Sequence, residues 1–196
     1  MDKKVKKLVG IALFTAIVVV LQLWGSGIKV GMFSISLVLI PIVVGAALYG
    51  WDAGAWLGFV FGGVVLLSGD AAPFMAVDVL GTIVTVLVKG AACGLAAGLV
   101  YKLVAGLPGN NQKVKTTLAV VAAALICPFV NTGIFLLGCR LFFFETITAW
   151  GSAAGFANVG AYMIVGLVGF NFLVEVATNM VLAPVIVRLI KIGKKN

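Results

Sequence analysis

The chain contains no histidine and few charged residues. Of its 196 residues, 10% are Asp, Glu, Lys or Arg, and 63% are hydrophobic. The missing imidazole excludes His-based catalysis and metal sites built on His ligands. The small charged fraction leaves too little polar surface for a soluble globular domain, although the length would suit one or two such domains. The composition therefore indicates an integral membrane protein.

Cysteine is also scarce, and the motifs of the common enzyme classes are missing. Cys93, Cys127 and Cys139 lie in apolar runs without the spacing of metal ligands, so we interpret them as small packing residues. The sequence has no GxSxG, no HExxH and no paired-carboxylate motif. It also lacks a P-loop, so the chain is not expected to hydrolyse ATP by itself. We predict no enzyme activity, no cofactor and no metal site.

Six stretches are apolar enough to cross a bilayer, which takes about 20 residues each. They are predicted at 7–25, 32–50, 52–69, 79–104, 116–142 and 160–190. The basic start followed by an apolar stretch resembles a signal peptide, but no clear cleavage site follows, and we interpret the stretch as a retained first helix. The predicted fold is an all-α membrane protein with six transmembrane helices, forming a single domain over residues 1–196.

Basic residues form three clusters at the ends of these stretches. The clusters are Lys3, Lys4, Lys6 and Lys7; Lys102, Lys113 and Lys115; and Arg188, Lys191, Lys194 and Lys195. An even number of spans places all three on one side, which the positive-inside rule identifies as the cytoplasm. We therefore predict cytoplasmic N- and C-termini, and we interpret the net charge of +8 as a topology signal rather than a nucleic-acid site.

The predicted outer loops are 26–31, 70–78 and 143–159. The loop at 143–159 is the longest of the three, contains Gly, Ala and aromatic residues, and is a candidate cover for the outer mouth of the protein. Trp150 within it is a candidate to cover a ligand.

Two ionisable residues lie near the middle of predicted spans. Lys89 is in the fourth and Glu175 in the sixth, while Arg140 lies toward the outer end of the fifth. Ionisable groups inside a membrane usually face a cavity or a partner, and they mark functional sites. The alternative is that Lys89 and Glu175 form a buried pair that only fixes helix packing. A buried pair is a poor stabiliser compared with apolar packing, which favours a functional role.

Three asparagines extend this polar set. Asn171 and Asn179 lie four residues on either side of Glu175, so the three share one face of a helix. Asn131, with Thr132 beside it, lies at mid-depth in the fifth span, one turn after a proline that is expected to kink the helix. The asparagines could instead be interhelical hydrogen-bond partners, an interpretation we favour for Asn179. For Asn131 and Asn171 we favour a cavity.

The whole chain resembles the substrate-binding S component of energy-coupling factor (ECF) vitamin transporters. The resemblance rests on the basic start, on six spans in about 190 residues, and on the small-residue stripe Ala12 and Ala16. The segments PFVNTGIFLLG (128–138) and NFLVEVATNMVLAP (171–184) also look like that family.

The resemblance implies a multi-pass protein of a bacterial cell membrane that binds a vitamin-like solute near the extracellular side. Its partners would be the lipid bilayer, a membrane coupling subunit and two cytoplasmic ATPase subunits, with Ala12 and Ala16 in the docking stripe. The subunit would reorient in the membrane to deliver its solute. The resemblance places the solute against Lys89, Asn131, Arg140, Asn171 and Glu175, with contacts from loops 26–31 and 70–78.

Two basic groups against one mid-helix acid suggest an anionic or zwitterionic solute, and Arg suits carboxylate binding. Among the substrates of the family, pantothenate fits best, and riboflavin and other vitamins stay open. The first alternative function is a self-sufficient ion- or proton-coupled secondary transporter with Glu175 as its ion site. The second is a structural membrane protein without a ligand.

Overall fold

The computed structural model describes residues 2–27, 29–30, 33–34, 37–108 and 111–193, and this part of the chain is almost entirely helical. The helices are α1 (Lys3–Gly25), α2 (Leu39–Tyr49), α3 (Trp51–Leu67), α4 (Ala72–Met75), α5 (Val79–Ala105), α6 (Gln112–Phe142), α7 (Phe144–Ala153), α8 (Val159–Ala161) and α9 (Gly169–Gly193). A π-helical segment, Tyr162–Leu167, joins α8 to α9. One short antiparallel pair, β1 (Lys29–Val30) and β2 (Phe33–Ser34), follows α1.

Four helices of the described chain are long and apolar enough to cross a membrane: α1, α5, α6 and α9. Helices α2 and α3 are apolar but shorter, with 11 and 17 residues. The all-α fold class is thus confirmed, with four candidate spans, while six crossings and cytoplasmic termini stay predictions. Lys194 and Lys195 lie outside the described residues.

The predicted span at 32–50 was wrong in its first part, because α2 begins at Leu39 and the strand β2 precedes it. Phe33 and Ser34 pair with Val30 and Lys29 in an antiparallel ladder, so this part of the predicted span is extended. The predicted span at 160–190 is not one α-helix either, since the π-helical segment interrupts it.

The predicted loop at 143–159 is largely the helix α7. Its residues Ile147 and Gly151, together with Phe143 just before it, recur every four residues and are buried. This spacing puts them on one face of a helix, so the segment packs on the bundle rather than forming an irregular loop.

Side chains before the helices explain where several of them begin. Asp78 accepts a hydrogen bond from Gly81 N at 3.0 Å and caps α5. Asn111 accepts bonds from the backbone N–H groups of Lys113 and Val114 at 3.1 and 3.3 Å and caps α6. Each cap satisfies backbone donors that the first helical turn leaves without a partner.

The first and last helices meet the α2–α3 turn at one end of the molecule. Lys7 in α1 donates to Asp52 at 2.5 Å, just after that turn, and Gly193 at the end of α9 lies against Leu48 in α2. The basic residues at the start of α1 therefore lie at the same end of the bundle as the end of α9.

Glycines bring α3 and α5 into backbone contact. Gly54 lies against Gly94 and Gly58 against Gly90, and a Cβ atom on either α3 glycine would overlap the carbonyl oxygen of its partner. Small residues four apart allow two membrane helices to approach this closely, and dispersion contacts then hold them together. The α3 sequence GAWLGFVFGG (54–63) supplies the small residues for this contact.

We expect Gly58→Ala to destabilise the protein, because the added methyl meets a backbone oxygen that has no room to move. Overpacking of this kind costs about 1–3 kcal/mol. The midpoint of thermal unfolding in detergent should fall by several degrees.

The matched control is Gly63→Ala on the same helix, where an added Cβ would meet nothing within 4 Å. An alanine is intrinsically more favourable than glycine in a helix, by about 1 kcal/mol, so this variant should be as stable as the parent or more stable. Equal midpoints for both variants would contradict the close helix contact.

Candidate functional site

A cavity lies inside the bundle, toward the end opposite the Lys7–Asp52 pair. It contains about 710 Å³ of empty space, a volume that includes the part open to solvent. The described apolar residues that line it are Phe61, Val65, Ala71, Phe74, Val86, Phe135, Phe143 and Val168. The polar ones are Gln22, Asp70, Thr82, Thr85, Lys89, Asn131, Thr132, Asn171 and Glu175. Small-molecule sites are usually hollows in which polar groups converge among apolar side chains, and this lining combines both kinds.

Four of the five sequence-predicted binding residues meet at this cavity. Lys89 comes from α5, Asn131 from α6, and Asn171 and Glu175 from α9. Asn131 and Glu175 are buried, at 4% and 2% exposure. The cavity thus unites polar side chains from three helices that are far apart in the sequence.

The Lys89 ammonium lies between two aromatic rings, 5.7 Å from the centre of the Phe61 ring and 5.3 Å from that of Phe135. The negative faces of these rings attract a cation, which makes a partly dehydrated ammonium tolerable at this depth. Lys89 therefore presents an N–H donor at the cavity wall.

Arg140, the fifth predicted binding residue, does not reach the cavity. Its side chain is exposed, and its guanidinium stacks on the ring of Phe144 at 3.9 Å. The neighbouring Cys139 and Gly138 are buried, so the helix turns Arg140 away from the bundle interior. The expectation of two basic groups in the cavity was wrong for this reason.

Gln22 is a cavity residue that the sequence did not indicate, and Asp70 was expected there only as part of loop 70–78. Asp70 accepts hydrogen bonds from Gln22 Nε2 at 2.8 Å and from Ser68 Oγ at 3.1 Å. Gln22 is 1% exposed in a helix that otherwise exposes much of its surface. Its amide within the apolar run of the first span was the one signal that could have indicated this position. The described cavity residues therefore include one base, Lys89, and two acids, Asp70 and Glu175.

Aromatic residues cover the cavity from the side of α4 and α7. The Phe74 ring in α4 packs edge-to-face against Phe135, Phe143 and Trp150, at centroid distances of 5.4, 5.2 and 5.5 Å. Loop 70–78, which is predicted to contact a solute, contributes Asp70, Ala71 and Phe74 to the lining. Trp150 stands behind Phe74 as a support. The side chains of 28–36, and with them much of loop 26–31, lie outside the described residues.

Asn179 has a different environment from the cavity residues. Its Nδ2 donates to the Ala124 carbonyl oxygen at 3.0 Å, and it is 1% exposed. Ala124 lies four residues before Pro128, which lacks the N–H that would otherwise bond this carbonyl. Asn179 therefore satisfies a backbone acceptor that the proline leaves without its helical donor, and it ties α9 to α6.

Ala12 and Ala16 lie on an exposed face of α1. Ala12 also lines a shallow groove between α1 and α3, together with Leu8, Thr15 and Trp56. The Trp56 indole donates to Thr15 Oγ1 at 3.2 Å and closes one side of this groove. A small-residue face of this kind is geometrically open to a partner helix.

We expect Asn179→Leu to lower the thermal unfolding midpoint of the ligand-free protein clearly more than Asn131→Leu does. The first change leaves the Ala124 carbonyl without this donor, and a buried unsatisfied group costs about 1–3 kcal/mol. The second removes a side chain whose Oδ1 has no hydrogen-bond partner among the described residues. Equal losses for both variants would show that the two asparagines have the same structural role.

A family model, a sequence relative and a solved structure match this chain over most of its length. The family model "ECF transporter, substrate-specific component" matches residues 6–187. The pantothenic acid transporter PanT of Lactococcus lactis subsp. cremoris (strain MG1363) is 28% identical over 200 residues, covering 95% of this chain and 94% of that protein. A solved structure of ThiT from Listeria monocytogenes superimposes with a TM-score of 0.69 at 22% identity, covering 94% of this chain and 95% of that one. At this identity the structural likeness establishes the fold alone.

Proposed function

The chain belongs to the family of substrate-specific components of ECF transporters, and we propose that it binds a vitamin with a carboxylate, pantothenate above all, in the cavity around Lys89. The resemblance found in the sequence is thereby confirmed at the level of the family. A member of this family is a transport subunit rather than an enzyme, and it works with a substrate and with membrane and ATPase components.

One observation carries the proposal: the cavity joins Lys89, Asn131, Asn171 and Glu175 at the end of the bundle opposite the first basic cluster. If basic clusters face the cytoplasm, this end faces outward. The subunit then captures its solute from outside a bacterial cell membrane. It delivers the solute inward by reorienting in the bilayer, on a coupling subunit driven by two cytoplasmic ATPase subunits.

Lys89 is the one basic residue among the described cavity residues, because Arg140 lies outside the cavity. Both acids of the cavity already accept hydrogen bonds, Asp70 from Gln22 and Ser68, and Glu175 from Asn171. Lys89 is then the group that attracts a carboxylate. The match to PanT over nearly the whole of both chains supports the same vitamin.

We expect Lys89→Met to weaken pantothenate binding by roughly thirtyfold or more, since removing one partner of a buried charge pair costs about 2–5 kcal/mol. Isothermal titration calorimetry of the detergent-purified subunit measures this change. The matched control is Lys102→Met, which removes an exposed lysine from the same helix and should leave the affinity unchanged.

Wild-type protein that shows neither calorimetric binding of pantothenate nor a co-purified vitamin in native mass spectrometry would end this proposal. Uptake by the chain alone in proteoliposomes, driven by an ion gradient, would favour the secondary transporter instead.

The exposed stripe on α1 is proposed as part of the surface that docks on the coupling subunit. Replacing Ala12 and Ala16 together by Leu should reduce co-purification with the coupling and ATPase subunits several-fold, because the larger side chains hold the partner helix away. Calorimetric affinity of the isolated subunit for its solute should stay the same.

The control for docking is Ala177→Leu, an equally small and exposed position on α9. This variant should co-purify with its partners as the parent does. Assembly that survives the Ala12 and Ala16 replacements would place the docking surface elsewhere.

A further inference from the structure

We propose that Glu175 is a positioning residue that orients Asn171 as a hydrogen-bond acceptor, so that the cavity selects solutes carrying O–H or N–H donors in addition to a carboxylate. This inference rests on the proposed function, because it refines which solutes the same cavity accepts.

The Asn171–Glu175 pair fixes the direction of the asparagine amide. The two residues are one helical turn apart in α9, and Asn171 Nδ2 donates to Glu175 Oε1 at 3.1 Å. Because Glu175 Oε1 accepts this bond, it faces the NH₂ side of the amide. The carbonyl Oδ1 of Asn171 is thereby directed away from Glu175.

The Asn171 Oδ1 atom is buried and has no hydrogen-bond partner among the described residues. Asn131 Oδ1 and Thr85 Oγ1 are also buried without a described hydrogen-bond partner. Both residues line the cavity, as Asn171 does. The three residues come from α9, α6 and α5, so three helices each contribute one unsatisfied oxygen. Native proteins rarely leave buried polar atoms without partners, and each such atom costs about 1–3 kcal/mol.

The hydrogen-bonding capacity of these oxygens limits which solutes can pair with them. The Asn131 and Asn171 carbonyls can only accept, so the solute has to donate to them through hydroxyl or amide N–H groups. Lys89 is a donor and suits the carboxylate of the same molecule. A site built to bind donors rejects an analogue without them, because its buried acceptors then stay unpaired.

The test compares pantothenate with N-(3,3-dimethylbutanoyl)-β-alanine, which keeps the carboxylate and the amide but carries hydrogen in place of both hydroxyl groups. We expect wild-type protein to bind pantothenate at least about tenfold more tightly by calorimetry, the loss of roughly one net hydrogen bond.

In Glu175→Gln this preference should fall at least about threefold relative to wild type. The glutamine amide can either donate or accept, so Asn171 is no longer held in one orientation and its oxygen can be bonded from inside the protein. Overall loss of folding would change both affinities alike, whereas loss of orientation changes their ratio.

The matched control is Glu145→Gln, which neutralises an exposed carboxylate in α7 and should keep the wild-type ratio. An unchanged ratio in Glu175→Gln, or equal binding of the two compounds by wild type, would overturn the positioning role.

A ligand-free measurement separates this inference from the proposed vitamin. If neither compound binds, the choice of pantothenate fails. The thermal midpoints of Asn171→Leu, Glu175→Leu and the double variant still report whether the two side chains interact. Strongly non-additive changes support the pair, and additive ones overturn it. A co-purified solute with no O–H or N–H group would overturn the inference as well.

Discussion

The close contact between α3 and α5 is the constraint on which the rest of the structure depends. Without side chains at Gly58 and Gly90, the two backbones approach until they touch. Lys89 is the residue before Gly90, and Phe61 follows Gly58 by three positions. The same contact that joins the helices therefore brings the ammonium of one to the aromatic ring of the other. Side chains at the glycines would separate the helices and move Lys89 away from its ring.

Inside a bilayer there is no water to satisfy a stray polar group, and this requirement separates the asparagines by role. Asn179 donates to a carbonyl that Pro128 leaves without its helical partner, so its role is fully explained by the protein itself. Asn131 and Asn171 have the same chemistry, yet each keeps an oxygen without a described partner beside the cavity. The two groups therefore differ in whether the protein itself supplies a hydrogen-bond partner.

Helix α1 reaches both an exposed face of small residues and the cavity. Its exposed face carries Ala12 and Ala16, while Gln22 near its other end lines the cavity and bonds to Asp70. The described cavity holds two acids and one base, and Arg140 lies outside it. A carboxylate-bearing solute is consistent with this balance because Asp70 and Glu175 both accept hydrogen bonds from protein donors.

The sequence by itself determined the membrane class, the family and most of the helices. A hydrocarbon environment requires long apolar segments, and these are visible in the composition and in the lengths of the apolar runs. It also identified Lys89, Asn131, Asn171 and Glu175, because polar residues in apolar runs need no tertiary information to be noticed. Helix boundaries were harder: α2 begins seven residues later than expected, and α7 replaces a predicted loop.

Only the tertiary structure decided which polar residues share the cavity. Arg140 and Lys89 look alike in sequence, but the rotation of α6 turns one outward while the packing of α5 turns the other inward. Gln22 and Asp70 are 48 residues apart and meet through a single hydrogen bond. The physical reason is that hydrophobicity indicates only whether a side chain is kept from water. Whether that side chain faces lipid, a neighbouring helix or the cavity depends on how its helix is rotated in the bundle.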